Sequence, residues 1–465
     1  MDNGLHLGVD LAVILILIAG IWQFRTTRGA RRGNLTSALA MACAVGVVLT
    51  RNPILGPAMV VAAFALGGVI GWGVALRVNM IQIPAMVAFQ HGCGGVAASL
   101  VSYVELARGM EALPLAGRIS GLLGLALGAA TFSGSMIASA KLANWVRQTP
   151  LVLANHNLVL ESLALAALAL TVLSGTAPAL FIPVGLAGLS ALSVALGVVF
   201  SIRIGGADMP VLISFLNATA GFAAALCGIV IQNRLLIACG ATVAASGSIL
   251  THIMCRGMNR GLVNVFAGLK LKPAPSPSLV ALAAEPAEAR KSAIHDPLAA
   301  AAEAARAART VVIIPGYGMA LAQAQFEVVK LANRLRANGA DVKFAVHPVA
   351  GRMPGHMHVL LAEAEVDPDM LFEMDQVNRQ LQDTDFVLVV GACDVVNPSA
   401  IHVEDTPISG MPILLAHEAK RVVVCNLDDR PGYSGVENPL YNDPKTLLLL
   451  GEAKATVAAI LARLT

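Results

Sequence analysis

Two rhythms of hydrophobic and polar positions divide the chain. Up to about residue 270 the apolar residues come in long blocks separated by short polar loops. Nine of these blocks centre on Val9–Phe24, Leu35–Leu49, Pro57–Leu76, Ile83–Leu106, Ile119–Leu142, Leu158–Leu173, Ala177–Phe200, Met209–Ile231 and Leu235–Met254. Each reaches or approaches the roughly 20 residues that an α-helix needs to cross a bilayer. Their wealth of Gly, Ala and Ser suits membrane helices that pack closely. Beyond residue 310 the rhythm changes to short β-branched runs alternating with stretches of helix formers, the signature of a parallel α/β sheet. Val311–Ile314 predicts a buried strand closed by Pro315, and Met319–Asn338 a helix. Strands follow at Val342–Val346, Phe386–Val390 and Val422–Cys425, with helical pieces at Met357–Ala364, Met370–Gln382 and Pro444–Leu464.

The expected fold is therefore an α-helical membrane bundle of about nine transmembrane helices, followed by a cytoplasmic α/β Rossmann-like parallel-sheet domain. Residues 1–270 form the first part and 310–465 the second. Residues 271–309 read as a tether: LKPAPSPS is proline- and serine-rich, and the rest is mostly alanine with mixed charge.

Composition supports the division. Hydrophobic residues make up 56% of the 465 and charged residues 13%, where a soluble protein carries roughly 25% charged. A net charge of +3 is too small to point to nucleic acid. The seven cysteines are scattered without a C-x-x-C pair, so neither a metal centre nor a disulfide framework is expected. Basic residues favour alternate loops: Arg25, Arg28, Arg31 and Arg32; Arg77; Lys141 and Arg147; Arg203; then Arg256, Arg260 and Lys270. By the positive-inside rule the N-terminus faces outside and the C-terminal half lies in the cytoplasm.

Chemistry concentrates in two places. An ionisable side chain at mid-membrane costs about 2.5–3.5 kcal/mol, so it needs a reason. His91, in AFQHGCGG, titrates near neutral pH when unperturbed and is a candidate proton carrier or a helix-interface hydrogen-bonding group. Asn217, in SFLNATAG, is an uncharged candidate partner. Asp208, Arg256 and Arg260 lie at the expected cytoplasmic mouth. In the second half, Gly316-Tyr317-Gly318 stands between strand and helix, where glycines admit a pyrophosphate and a helix N-terminus attracts it. Leu321 occupies the place of the third fingerprint glycine. The second strand runs into HPVAGRMPGHMH, with Arg352 and no acid at the strand end. The next two run into GACDVVNP and CNLDDRPGYSGVENPLY.

The segments GYGMALAQAQ, HPVAGRMPGHM, EMDQVN, VVGACDVVNP, GMPIL and PGYSGVENPLY, in this order, resemble the beta subunit of proton-translocating nicotinamide nucleotide transhydrogenase. In the first half AFQHG, GGADMP, FLNATAG and MCRGMNRG are similar too. The resemblance implies hydride transfer between NAD(H) and NADP(H) coupled to proton movement across a bacterial inner membrane. It implies NADP(H) on this chain, and NAD(H) on a partner alpha subunit within a dimer of such heteromers, among membrane lipid. It places the nucleotide at Gly316, Tyr317 and Gly318; at Val349, Ala350, Gly351, Arg352, Met353 and Pro354; and at Gly391, Ala392, Cys393, Asp394 and Val395. A fourth segment runs from Asn426 to the Gly432-Tyr433 pair. His91 and Asn217 fall on the family's proton-channel positions, and Asp208 and Arg260 on coupling positions.

One departure stands out. Where the family carries Lys-Arg-Ser to grip the 2′-phosphate, this chain has Asn426, Leu427, Asp428 and Asp429, then Arg430. Two carboxylates repel a phosphate, so Arg352, Arg430 or Lys420-Arg421 must compensate if NADP(H) is the ligand. The rival reading is a secondary transporter gated by a dinucleotide-sensing domain, which would not need these loops in these forms.

Overall fold

The computed structural model describes residues 2–23, 27–51, 57–147, 150–176, 181–205, 208–258, 261–267, 296–353, 355–404, 406, 408–432 and 434–464. Most of the predicted tether, residues 271–295, lies outside them, as do Arg260, Pro354 and Tyr433. The chain divides into two compact units. The first is Met1–Arg147, Leu151–Arg203 and Ile213–Ile249; the second is Gln148–Pro150, Ile204–Leu212 and Leu250–Thr465.

All nine predicted long helices are present among the described residues: α1 (Asp2–Gln23), α2 (Thr27–Arg51), α3 (Pro57–Arg77), α4 (Ile83–Gly109), α5 (Leu115–Leu142), α6 (His156–Thr176), α7 (Ile182–Ile202), α8 (Met209–Val230) and α9 (Arg234–Gly257). Eight are long and apolar enough to cross a membrane. The other is α4, whose mean hydropathy is lowered by Gln90, His91 and its run of glycines.

In the first unit α4 lies on α5, and α5 on α7. Small residues let the backbones meet. A Cβ on Gly128 of α5 would sit 2.9 Å from the Ser99 amide nitrogen of α4, and one on Gly95 would sit 2.8 Å from the Gly128 oxygen. Hydroxyls tie helices of this unit together, α4 to α5 and α5 to α8, across hydrocarbon, where polar groups have no water. Ser99 Oγ donates to Leu125 O (3.0 Å), Ser139 Oγ to Ala85 O (2.8 Å) and Thr131 Oγ1 to Thr219 Oγ1 (3.0 Å). The buried Lys141 donates to Ile202 O at 2.6 Å, a cation on the last turn of α7 where the helix dipole favours it. Asp10 was not singled out from the sequence. It is buried in α1 and paired with Arg51 of α2 at 2.5 Å.

The second unit holds a six-stranded parallel sheet. Its strands are β1 (Thr310–Pro315), β2 (Asp341–Val346), β3 (Leu371–Glu373), β4 (Phe386–Val390), β5 (Val422–Asn426) and β6 (Thr446–Leu450), in the order β3-β2-β1-β4-β5-β6. Register runs Val311↔Val342 on one side of β1 and Val311↔Phe386 on the other. The central strands β4 and β5 are buried throughout and β1 from Val311 on, as in a parallel sheet covered on both faces, which is why they read as unbroken apolar runs.

Three expectations are corrected. β3 and β6 occupy segments expected to be helical. Thr446–Leu450 is a leucine run with high helix propensity, yet it pairs along β5 as an edge strand. Leu371–Glu373 is only three residues long, too short for a periodicity signal. The helix expected at Met319–Asn338 is split into Tyr317–Leu321 and Gln325–Ala337, with Gln323 between them at φ 49°.

At the start of β4, the Asp385 carboxylate accepts from the Arg309 and Thr310 amides (3.0 and 3.2 Å) and from Lys420 Nζ (2.8 Å). The Lys420 bond, with these amides, holds its pKa at about 2 against an ordinary 3.8. Its stabilisation is therefore complete above about pH 4 and disappears as pH falls towards 2. Asp385→Asn should lower the melting temperature of the detergent-solubilised chain at pH 7, and the difference from the native chain should vanish near pH 2. In the helical unit, Gly128→Val should destabilise by about 1–3 kcal/mol through overpacking. Gly67→Val, where a Cβ meets nothing within 4 Å, should leave the melting temperature unchanged.

Candidate functional site

The strand order reverses between β1 and β4, so the loops leaving their carboxyl ends part in opposite directions and open a crevice. Before parting they cross backbone to backbone. The Gly316 amide donates to Val390 O and the Gly318 amide to Gly391 O, each at 2.8 Å. A Cβ on Gly316 would lie 2.5 Å from Ala392 Cα, and one on Gly318 would lie 2.7 Å from Gly391 Cα. Gly391 itself has φ 66°, a left-handed conformation that disfavours any other residue. The glycines thus provide clearance for two loops at the crossing. The helix after them has one turn only, and two of the turn's amides are already bonded, so the long-helix anion cradle expected from the sequence is not what forms here.

The loop after β2 is fastened by a histidine at each end. His347 Nδ1 accepts the Val349 amide (3.2 Å), and its Nε2 meets Pro412 O at 2.8 Å, which makes Nε2 the protonated nitrogen. His356 Nδ1 accepts the Arg352 amide at 3.1 Å. Gly351, at φ 106°, brings its backbone against the His356 ring. The Arg352 guanidinium lies over the Tyr317 ring, 4.3 Å from its centre, and the Tyr317 and His356 rings are 6.1 Å apart. Burial holds both imidazoles at about 4, with Arg352 lowering His356 further, while the Pro412 bond and then Glu373 oppose the shift at His347. Both are neutral acceptors at physiological pH.

The loops after β4 and β5 are laced together. Asp394 accepts from the Ser434 hydroxyl (2.6 Å) and amide (3.1 Å), with Gly432 close against it. Asn438 donates to Cys393 O (3.1 Å), and Asn426 donates to Ala392 O (3.0 Å) and to the Tyr441 hydroxyl (2.7 Å). Burial pushes the Cys393 thiol up, so it is inert at neutral pH. Two buried polar atoms, Asn426 Oδ1 at the end of β5 and His356 Nε2 beyond β2, have no hydrogen-bond partner among the described residues. His347, Ser434, Asn438 and Tyr441 were not singled out from the sequence. They tie one loop to another, through backbone at His347 and Asn438 and through side chains at Ser434 and Tyr441, a role with no sequence period.

The candidates for compensating charge separate cleanly. Lys420 and Arg421 precede β5, at the opposite end of the sheet, and Lys420 is paired with Asp385. Arg430 folds back towards Asp428, its amide on Oδ1 at 3.2 Å and its Nε 3.9 Å from Oδ2. Leu427 is exposed. Of the three, only Arg352 stands over the crevice.

In the helices, His91 is half-buried in α4 and its Nδ1 is buried with no partner among the described residues, so Asn217 does not bond that nitrogen. Asn217 is half-buried in α8. Asp208 directly precedes α8, its amide on Gly205 O at 3.3 Å.

Comparison with known proteins gives one consistent result. A family model described as "NAD(P) transhydrogenase beta subunit" matches residues 8–463. A protein of Rhodospirillum rubrum named "NAD(P) transhydrogenase subunit beta" is 40% identical over 461 residues, covering 96% of this chain and 97% of its own. The same protein name in a defined strain of that species gives the same figures.

Gly391→Ala should unlock the crossing and destabilise the domain, since strain at such a position costs about 1–3 kcal/mol; thermal melting of the purified chain checks it. For the histidines, the unfolded value of 6.5 lies above the folded value of about 4. The unfolded loop therefore takes up more protons between them, and loop stability is complete above pH 6.5 and falls as pH drops towards 4. The melting temperature of the purified chain should be flat above pH 6.5 and decline below it, and His356→Asn should make that decline shallower.

Proposed function

The chain belongs to the family of NAD(P) transhydrogenase beta subunits, and from that membership we propose that its six-stranded domain binds NADP(H) and couples hydride exchange with NAD(H) to proton movement across the membrane. The enzyme is an NAD(P) transhydrogenase, and a beta subunit works with an alpha subunit. In this reading the alpha subunit carries NAD(H), and two such heteromers assemble in a bacterial inner membrane. The N-terminus lies outside and residues 310–465 lie in the cytoplasm.

The observation that carries the nucleotide assignment is the crevice at the β1/β4 reversal, with Arg352 and His356 on the loop after β2 and Asn426 at the carboxyl end of β5. The residues fit a dinucleotide. The glycine crossing gives a floor without side chains, Asn426 Oδ1 and His356 Nε2 offer an acceptor and a donor, and Arg352 offers paired donors for phosphate. Arg352 takes the place of the absent Lys-Arg pair, while the Asp428–Arg430 contact blunts one of the two carboxylates.

A bound nicotinamide supplies the hydride chemistry, which needs proximity and orientation and no acid or nucleophile from the protein. The chain's own work is to hold and orient: Tyr317 supports Arg352, and Asp394 and Asn438 keep the loops after β4 and β5 in register. In the helices, His91 takes and releases the proton, helped by Asn217, and Asp208 and Arg260 pass its state towards the nucleotide. Moving one charge across the membrane yields about 2.3 kcal/mol per 100 mV, enough to bias a site of this kind.

Titration of the purified chain with NADPH and NADH side by side tests the assignment. NADPH should bind at least about tenfold tighter, and Arg352→Ala should erase most of that preference, as loss of a charged hydrogen bond costs about 1.5–3 kcal/mol. A preference for NADH would transfer the choice of cofactor to Asp428 and Asp429. In membranes containing both subunits, His91→Asn should abolish proton movement while leaving NADPH binding intact; normal pumping by this variant would remove His91 from the mechanism.

A further inference from the structure

The loop after β2 touches two places at once. Val349 packs against the sheet core that includes Val312, Ile314 and Val389. It also packs against a second cluster: Val211 near the start of α8, Met254 and Cys255 in the last turn of α9, and Met258 just beyond it. A Cβ on Gly257, the last residue of α9, would lie 3.5 Å from both Pro348 Cγ and Val349 Cγ1, an ordinary contact distance. Three residues along the same loop, Arg352 lies over Tyr317 in the crevice.

Between these two ends the chain has little slack. The Val349 amide is held by His347 Nδ1, and the Ala350 amide by His347 O at 3.0 Å. The Arg352 amide is held by His356 Nδ1. Gly351 sits in the left-handed region with the His356 ring against it, so that even a methyl there would come within 2.6 Å of Nδ1. A closed turn fastened at both ends transmits a shift at one end to the other, because packed interfaces jump between arrangements and do not deform smoothly.

We propose that Val349 is a positioning residue through which the ends of α8 and α9 set the Arg352 side of the nucleotide crevice, the 347–356 loop serving as a stiff link. This rests on the coupled function proposed above and adds the physical contact that carries the coupling. The link is apolar and local. It needs no charge to cross from helix to sheet, only a displacement of Met254 and Met258 against Val349.

The test uses the full chain with its alpha subunit in phospholipid vesicles. It measures the NADPH dissociation constant without a gradient, and the rate of NADP reduction with and without an imposed proton gradient. Met254→Ala and Met258→Ala should leave the gradient-free dissociation constant within about twofold. They should reduce the stimulation of the rate by the gradient by about fivefold or more, the usual scale of a coupling between sites. Gly257→Ala, which adds to the contact, should keep the full stimulation. Val349→Ala combined with Met258→Ala should lose no more stimulation than the worse single variant, the mark of one shared contact. Full stimulation in Met254→Ala and Met258→Ala, or additive losses in the double variant, would overturn the link while leaving the proposed function in place. A native complex whose rate ignores the gradient would overturn the coupled function itself, and the link with it.

Discussion

Everything at the carboxyl end of the sheet depends on two loops passing at backbone distance. Gly316 and Gly318 after β1, and Gly391 after β4, leave no side chain between them, and two amide-to-carbonyl bonds close the crossing. From that point the chain turns one way into Tyr317, which supports Arg352, and the other way into Asp394, which anchors Ser434. Side-chain bulk at the crossing would push both walls of the crevice apart. The same device recurs in the helical unit, where Gly95 and Gly128 bring α4 and α5 together beside His91. In one case the close approach joins two loops at the carboxyl end of the sheet; in the other it compensates for the missing hydrophobic drive between helices in lipid.

Neutral histidines form the second recurring device. An imidazole whose proton is fixed on one nitrogen offers a directional acceptor on the other. His347 and His356 use it to hold backbone amides that no strand or helix satisfies, and burial keeps them neutral. The result is a loop that belongs to neither a helix nor a strand and is still rigid. Rigidity is what a segment lying between helix ends and the crevice needs to pass on a displacement, since a floppy connection would dissipate it.

Charge is distributed by the same economy. The carboxylates at the end of β5 are exposed, and one of them draws Arg430 to itself, so Arg352 is left as the cation over the crevice. Lys420 looks available in the sequence, but it caps the far end of the sheet by bonding Asp385. Distance along the chain misled here because β5 separates the two ends by its full length.

The sequence by itself determined the nine helices, four of the six strands of the sheet (β1, β2, β4 and β5) and the family. The helices and strands follow from apolar block length and β-branched runs, which act locally; the family followed from the resemblance of its ordered motifs. It did not determine β6, where a leucine run takes its state from pairing with β5, or the break at Gln323, where packing of the first turn against the β4 loop overrides a run of helix formers. It also hid the role of the glycines: a Gly-x-Gly turn is the same string whether it clears a phosphate or another backbone. Only the tertiary structure brought Val349 against Met254 and Met258, and His356 against Arg352. Such contacts join residues distant in sequence through surfaces that exist only once both elements have formed, and no local pattern encodes them.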